Sequence, residues 1–133
     1  MEKQTILWAD DDQDDLMIMR EVLAEIDHSF EIIEVYNGQE ALDHLYDLKQ
    51  NGLDFPCLVI LDINMPVMSG KEALVRMKDD EVLKHIPVVV FTTSSSEMDR
   101  IFCRQYGVTM ISKPPSFETL HSEVEKLLNF CKS

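Results

Sequence analysis

No apolar run in this sequence approaches the roughly 20 residues that a helix needs to cross a bilayer, so a membrane span is not expected. The opening residues, Met1-Glu2-Lys3-Gln4, do not resemble a secretory signal. Cysteine is scarce. Cys57, Cys103 and Cys131 are odd in number and have no CxxC spacing. That pattern argues against a disulfide framework and for a reducing compartment, so a cytoplasmic location is expected. Cys57 opens an apolar run and reads as a small buried hydrophobe. Basic residues are few, 12 against 25 acidic, and the formal net charge is −13. A field of that sign repels nucleic acid and anionic lipid, and attracts cations and basic protein surfaces. Its plainer meaning is solubility. Linkers, repeats and low-complexity tracts are also missing. The span 1–133 therefore reads as one domain with no output domain, long enough to bury a core without disulfide or metal staples.

What is present is a rhythm of short apolar runs and helical stretches. Ile6-Leu7-Trp8-Ala9, Glu31 to Tyr36, Cys57 to Leu61, Val88 to Phe91 and Val108 to Ile111 read as strands. Leu16, Met19, Val22, Leu23 and Ile26 repeat at helical spacing. Asn37 with Glu40, Ser69 with Glu72, and Ser96 with Asp99 mark helix starts, Ser116 marks a fourth, and Gly107 marks a stop. Strand and helix alternate five times. The first, third and fourth strands are solidly apolar, as in a parallel sheet covered by helices on both faces. The expected fold is a doubly wound open α/β sandwich on a parallel five-stranded sheet.

In such a sheet, ligands bind at the carboxyl ends of the strands. The first strand ends in Asp10-Asp11-Asp12, the third in Asp62, the fourth in Thr92-Thr93-Ser94 and the fifth in Ser112-Lys113-Pro114. Crowded carboxylates repel one another unless a cation neutralises them. Mg²⁺ suits one or two carboxylates plus water and phosphate oxygens. Asp62 can serve as a nucleophile, and Lys113 and Thr92 can bond phosphoryl oxygens. Taken singly, these residues have duller explanations. Asp10 to Asp15 could be an acidic first helical turn, Asp62 and Thr92 turn or cap residues, and Lys113 a surface lysine. Their joint occurrence at four strand ends favours chemistry. Asp10, Asp12, Asp14 and Glu21 also match an EF-hand calcium loop, but Asp15 stands where that loop needs glycine.

These residues carry a family resemblance. Ile6-Leu7-Trp8-Ala9-Asp10-Asp11, the run from Leu61-Asp62 through Asn64-Met65-Pro66 to Gly70, Ile86 to Thr93, and Ser112-Lys113-Pro114 are similar to the signatures of two-component response-regulator receiver domains. The resemblance implies a flavodoxin-like sheet of order 2-1-3-4-5 flanked by five helices, an order for which the chemotaxis receiver is a standing example. It implies Asp62 as phosphoacceptor, with Mg²⁺ held by Asp10, Asp11, Asp62 and the Asn64 backbone carbonyl. Thr92 would be the switch hydroxyl and Lys113 the phosphate partner, and the bond before Pro114 would be cis. The chain would be a phosphoacceptor switch rather than an enzyme, self-catalysing phosphotransfer with slow autodephosphorylation at most.

The implied partners are a sensor histidine kinase and a downstream protein target. Neither nucleic acid nor membrane is expected. A homodimer through the fourth helix, fifth strand and fifth helix is a further expectation, with Phe102, Tyr106, Met110 and Phe117 as candidate surface residues. The loop from Gln50 to Pro56, the Val90-Phe91-Thr92-Thr93-Ser94 run and the lack of an output domain look like the small regulators that serve bacteriophytochrome-type kinases. Two features depart from the family. Met110 stands where Tyr or Phe is usual, and Thr93 stands where Ala is usual. Two rival functions remain. One is a degenerate receiver acting as a constitutive docking module. The other is a haloacid-dehalogenase-type phosphatase, which would want an acid where Asn64 stands.

Overall fold

The computed structural model describes residues 4–114 and 116–131, and only the backbone at 117. Its elements run β1 (Gln4–Ala9), α1 (Gln13–Ile26), β2 (Phe30–Val35), α2 (Gly38–Gln50), β3 (Leu58–Leu61), α3 (Gly70–Asp79), β4 (Val88–Thr92), α4 (Glu97–Gln105), β5 (Thr109–Ser112) and α5 (Phe117–Leu128). Short 3₁₀ turns follow α3 and α5, at Leu83–His85 and Asn129–Cys131. All four strand pairings are parallel, in the order β2-β1-β3-β4-β5. This is the expected flavodoxin-like sandwich.

The two sheet faces bury separate cores. Leu7, Ala9, Val59, Leu61, Val88 and Val90 point to one face, under residues of α2, α3 and α4. Ile6, Trp8, Leu58, Ile60, Val89 and Phe91 point to the other, under α1 and α5. Alternate residues of one strand thus feed opposite cores, so both parities must be apolar where both faces are covered, and β3 at the centre carries no polar position. Trp8 and Phe91 meet edge to face across the second core, with ring centroids 6.0 Å apart.

The helix ends follow the sequence signals. Asn37, Ser69, Ser96 and Ser116 each accept a backbone N–H with their side-chain oxygen, from Glu40, Glu72, Asp99 and Thr119. The Glu40 carboxylate reaches back to the N–H of Tyr36. α4 stops at Gly107, whose φ of 67° is the left-handed conformation glycine tolerates. There Val108 N–H returns to the Cys103 carbonyl and Gly107 N–H to that of Arg104, closing the helix.

Two expectations are corrected. Cys57 and Cys131 form a disulfide across 74 residues. Both lie against the α1–α5 core, where the last 3₁₀ turn folds back onto the entry to β3. Odd number and spacing could not reveal a pairing made by tertiary proximity, and the cysteine argument for a reducing compartment falls with it. Cys103 is the free cysteine among the described residues; it is buried, and burial raises its thiol pKa. Second, no peptide bond among the described residues is cis, including the one before Pro114. Trans is the intrinsically favoured X–Pro isomer, by about 0.5–1 kcal/mol. No helix among the described residues is long and apolar enough to cross a membrane.

Candidate functional site

Four strands deliver polar ends to one sheet edge. Ala9 and Leu61 are register partners in β1 and β3, so the residues that follow them, Asp10 and Asp62, emerge side by side. The N–H of Asp62 donates to the carbonyl of Ala9 at 3.0 Å. Thr92 is likewise the register partner of Ser112, and the N–H of Lys113 donates to the Thr92 carbonyl at 2.8 Å. Residues 103 positions apart in the chain, Asp10 and Lys113, thereby come into contact.

The Lys113 ammonium is the hub. It donates to Asp10 Oδ2 at 2.5 Å, Asp62 Oδ2 at 3.0 Å and Asp15 Oδ2 at 3.1 Å. An ammonium has three N–H groups, and each has its carboxylate. The side chain is only 8% exposed, so the surface-lysine reading is wrong. Burial pulls the Lys113 pKa down. The hydrogen bond to Asp10 and the charges of Asp62 and Asp10 together outweigh burial and hold it above the ordinary lysine value. Burial raises the Asp10 carboxyl above its ordinary value, against the pull of Lys113 and of the Asp12 N–H. Asp62 Oδ1 accepts the N–H of Ile63 at 2.7 Å.

The acidic run divides. Asp12 is the N-cap of α1, accepting N–H from Asp14 and Asp15, so the bland reading holds for that turn. Because α1 starts at Gln13, there is no calcium loop here. Asp10 and Asp11 instead join Asp62, with carboxylate oxygens from the three within 4.8 Å of one another. All-oxygen donors of that charge, with Asp11 exposed to solvent, fit a hard divalent cation. Asn64 lies exposed in the loop two residues beyond Asp62. Thr92 is fully buried, and its Oγ1 accepts the N–H of Ser94 at 3.2 Å. Sequence reasoning missed Asp15. Its signal was its place one helical turn after Asp11, on the site side of α1, where it read as a dipole-favoured first-turn acid.

Glycine shapes the loop behind Asp62. A Cβ on Gly70 would lie 2.0 Å from the Asp62 carbonyl oxygen, so α3 can start there only without a side chain. Gly70 N–H in turn donates to the Ile63 carbonyl at 3.0 Å. Between them Val67 has φ of 64°, inside a three-residue γ-turn closed by Met68 N–H to the Pro66 carbonyl. Beside the site, Asp15, Ile18, Met19, Thr93, Lys113, Pro114, Ser116 and Leu120 line an open groove of about 420 Å³.

Residues 6–125 match the model of the response regulator receiver domain. The chain belongs to that family. Receiver domains take part in phosphorelays, and the acidic cluster of Asp10, Asp11 and Asp62 is consistent with a phosphoacceptor site. Among curated relatives, the receiver is 33% identical over 127 residues to a probable methanogenesis regulatory protein, FilR2, of Methanothrix harundinacea, covering 94% of this chain and 81% of that one. It is 33% identical over 131 residues to the response regulator Rcp1 of Synechocystis, covering 96% and 88%. Among solved structures, the phosphorylated cyanobacterial phytochrome response regulator RcpA superposes with a TM-score of 0.88 at 31% identity, covering 98% of this chain and 95% of that one.

Of the residues expected at the partner surface, Phe102, Tyr106 and Met110 are half-buried against the α2–α4 core. They are neither fully core nor free surface. The side chain of Phe117 lies outside the described residues.

Proposed function

We propose that this receiver accepts a phosphoryl group on Asp62 from a sensor histidine kinase, in a Mg²⁺-dependent reaction, and thereby changes its affinity for a downstream protein. The observation that carries the reading is the buried Lys113 ammonium bridging Asp10 and Asp62 beside a three-carboxylate cluster. Nothing in a purely structural role calls for three acids around one buried lysine.

Asp10, Asp11, Asp62 and the Asn64 carbonyl would hold the cation, which when bound neutralises charge as phosphate approaches carboxylate. A carboxylate oxygen of Asp62 attacks phosphorus. The P–N bond of the donor phosphohistidine breaks, and its electron pair returns to the imidazole, which takes up a proton. Lys113 then donates to a phosphoryl oxygen in place of Asp62 Oδ2, and the Thr92 hydroxyl donates to another. The donor enters by the groove beside Lys113, where Ile18, Met19 and Leu120 offer apolar contact. The chain itself supplies the catalysis, so it is a phosphoacceptor switch and not a turnover enzyme.

Likeness to a cyanobacterial phytochrome response regulator favours a phytochrome-type kinase as donor. The responding surface is α4, β5 and α5, through which a homodimer is also proposed. Asn64 in place of a second acid counts against a phosphatase, and the complete site counts against a docking module.

The test is incubation with acetyl phosphate and Mg²⁺, followed by intact mass. A labile phosphoryl adduct is expected, and Asp62→Asn should lose it. No adduct in the parent chain, or an undiminished one in the variant, overturns the reading.

A further inference from the structure

Met110 sits on β5 three residues before Lys113, half-buried, and carries no aromatic ring. Two aromatic rings that pack on the same core cluster belong to α4. They are those of Phe102 and Tyr106, with their centroids 4.9 Å apart. A continuous polar path runs from Thr92 to those rings. Thr92 Oγ1 accepts the N–H of Ser94 at 3.2 Å. Ser94 Oγ accepts the N–H of Ser96 at 3.2 Å and donates its single proton to Asp99 Oδ2 at 2.5 Å. The other oxygen of Asp99 pairs with Lys71 Nζ, which lies 5.3 Å above the centre of the Phe102 ring.

We propose that Ser94 and Asp99 carry the switch signal from Thr92 to α4, delivering it through Lys71 to the Phe102 ring, in place of an aromatic side chain on β5. This rests on the reading of Asp62 and Thr92 given above.

Three features make Asp99 suited to the task. It is 8% exposed, so loss of a partner is felt. Lys71 first and Ser94 second hold its carboxyl below the ordinary value. It also joins two segments that touch the site independently. One is the Thr92–Ser96 stretch, which begins at the switch hydroxyl. The other is the first turn of α3, where Gly70 lies against the Asp62 backbone and Lys71 follows. A hydroxyl that turns toward a phosphoryl oxygen draws the Ser94 backbone with it. Ser94 has one proton, so its bond to Asp99 is either made or broken. When it breaks, Asp99 keeps Lys71 alone, and the ammonium shifts over the Phe102 ring. Met110, soft and unbranched, packs on the same core cluster as the α4 rings and can adapt as they repack.

The experiment follows two quantities in the full chain: phosphoryl uptake from acetyl phosphate and Mg²⁺ by intact mass, and the backbone amide shifts of α4 on phosphorylation by NMR. The parent chain should take up phosphate and shift its α4 amides. Ser94→Ala and Asp99→Asn should take up phosphate at a rate close to the parent's and lose most of the α4 shift. Ser94→Thr, which keeps the hydroxyl, should retain it. Parent-like α4 shifts in Ser94→Ala and Asp99→Asn would overturn the relay while leaving the phosphoacceptor reading intact. Phosphate uptake by the parent with no α4 response would do the same. Failure of the parent to take up phosphate would sink both. If Asp99→Asn does not fold, Ser94→Ala against Ser94→Thr decides alone.

Discussion

Just before β3 stands Cys57, bonded to Cys131 and packed among apolar neighbours; five residues on, just past its other end, stands Asp62, beside two further carboxylates and a buried lysine. The two edges of one sheet treat charge in opposite ways. At the site edge, burial pushes Asp10 up and Lys113 is shared among three acids. α3 runs back from that edge, and at its far end Asp80 is at ease. It accepts N–H from Leu83 and Val82 and the Lys49 ammonium, and its carboxyl falls to about 2. At the far edge both oxygens of this carboxylate have partners. The site edge keeps like charges close, an arrangement that an added divalent cation would ease. Under the proposed function such an unfinished edge is what a switch needs, and a finished edge opposite lets the sheet bear it.

The contrast can be broken most severely at the far edge. Cys131→Ser opens a disulfide that closes 74 residues, which the loop-entropy account values at about 4 kcal/mol. Urea unfolding should show a loss approaching that size, with reductant giving the parent chain the same deficit and the variant none. Unchanged midpoints would remove the disulfide from the comparison.

Next in size is the site edge. Lys113→Ala leaves Asp10 and Asp62 buried without their cation and should cost about 3 kcal/mol in the absence of divalent ions. Mg²⁺ should recover part of that loss in thermal melts. A variant as stable as its parent in a chelator would mean that the ammonium is not what holds the carboxylates together.

A smaller effect sharpens the difference between the two kinds of acid. The Asp80 carboxyl is depressed in the folded state, from 3.8 to about 2. Its contribution is therefore present above the unfolded value and is lost as pH falls through the folded one. Asp80→Asn should lower the urea midpoint at about pH 6 and lower it less at about pH 3. An equal gap at both values would show that the bonds to Asp80 do not depend on its charge.

The smallest effect concerns the strained turn that closes the site loop. Val67, 83% exposed at φ of 64°, gains little from its side chain. Val67→Gly should be neutral to stabilising, by roughly 0.5 kcal/mol in urea. A clear loss would mean that the valine is held there by a contact rather than tolerated.

Much of the site edge was legible in the chain because its information is local. Asp10-Asp11, Asp62 and Lys113-Pro114 each follow an apolar run, and parallel register then brings strand ends together without further instruction. The cap residues read correctly for the same reason, since a serine and the N–H it accepts are three positions apart. Other features depended on distance. The partner of Cys57 is 74 residues away, and nothing near Cys57 names it. Asp15 looked like one more acid in a favoured first turn until the orientation of α1 aimed it at Lys113. Lys71 and Asp99 belong to different helices, and no spacing predicts their contact.

By itself, then, the amino-acid order settled the alternation of strand and helix, four helix starts and one helix stop, and the identity of the residues at the strand ends. Periodicity and capping act over a few residues and are written where they act. Tertiary structure alone decided that Lys113 serves three acids at once, that Cys57 meets Cys131, and that Ser94, Asp99 and Lys71 join two helices. Those contacts depend on how whole elements are placed on the sheet, and that placement comes from burying both of its faces together.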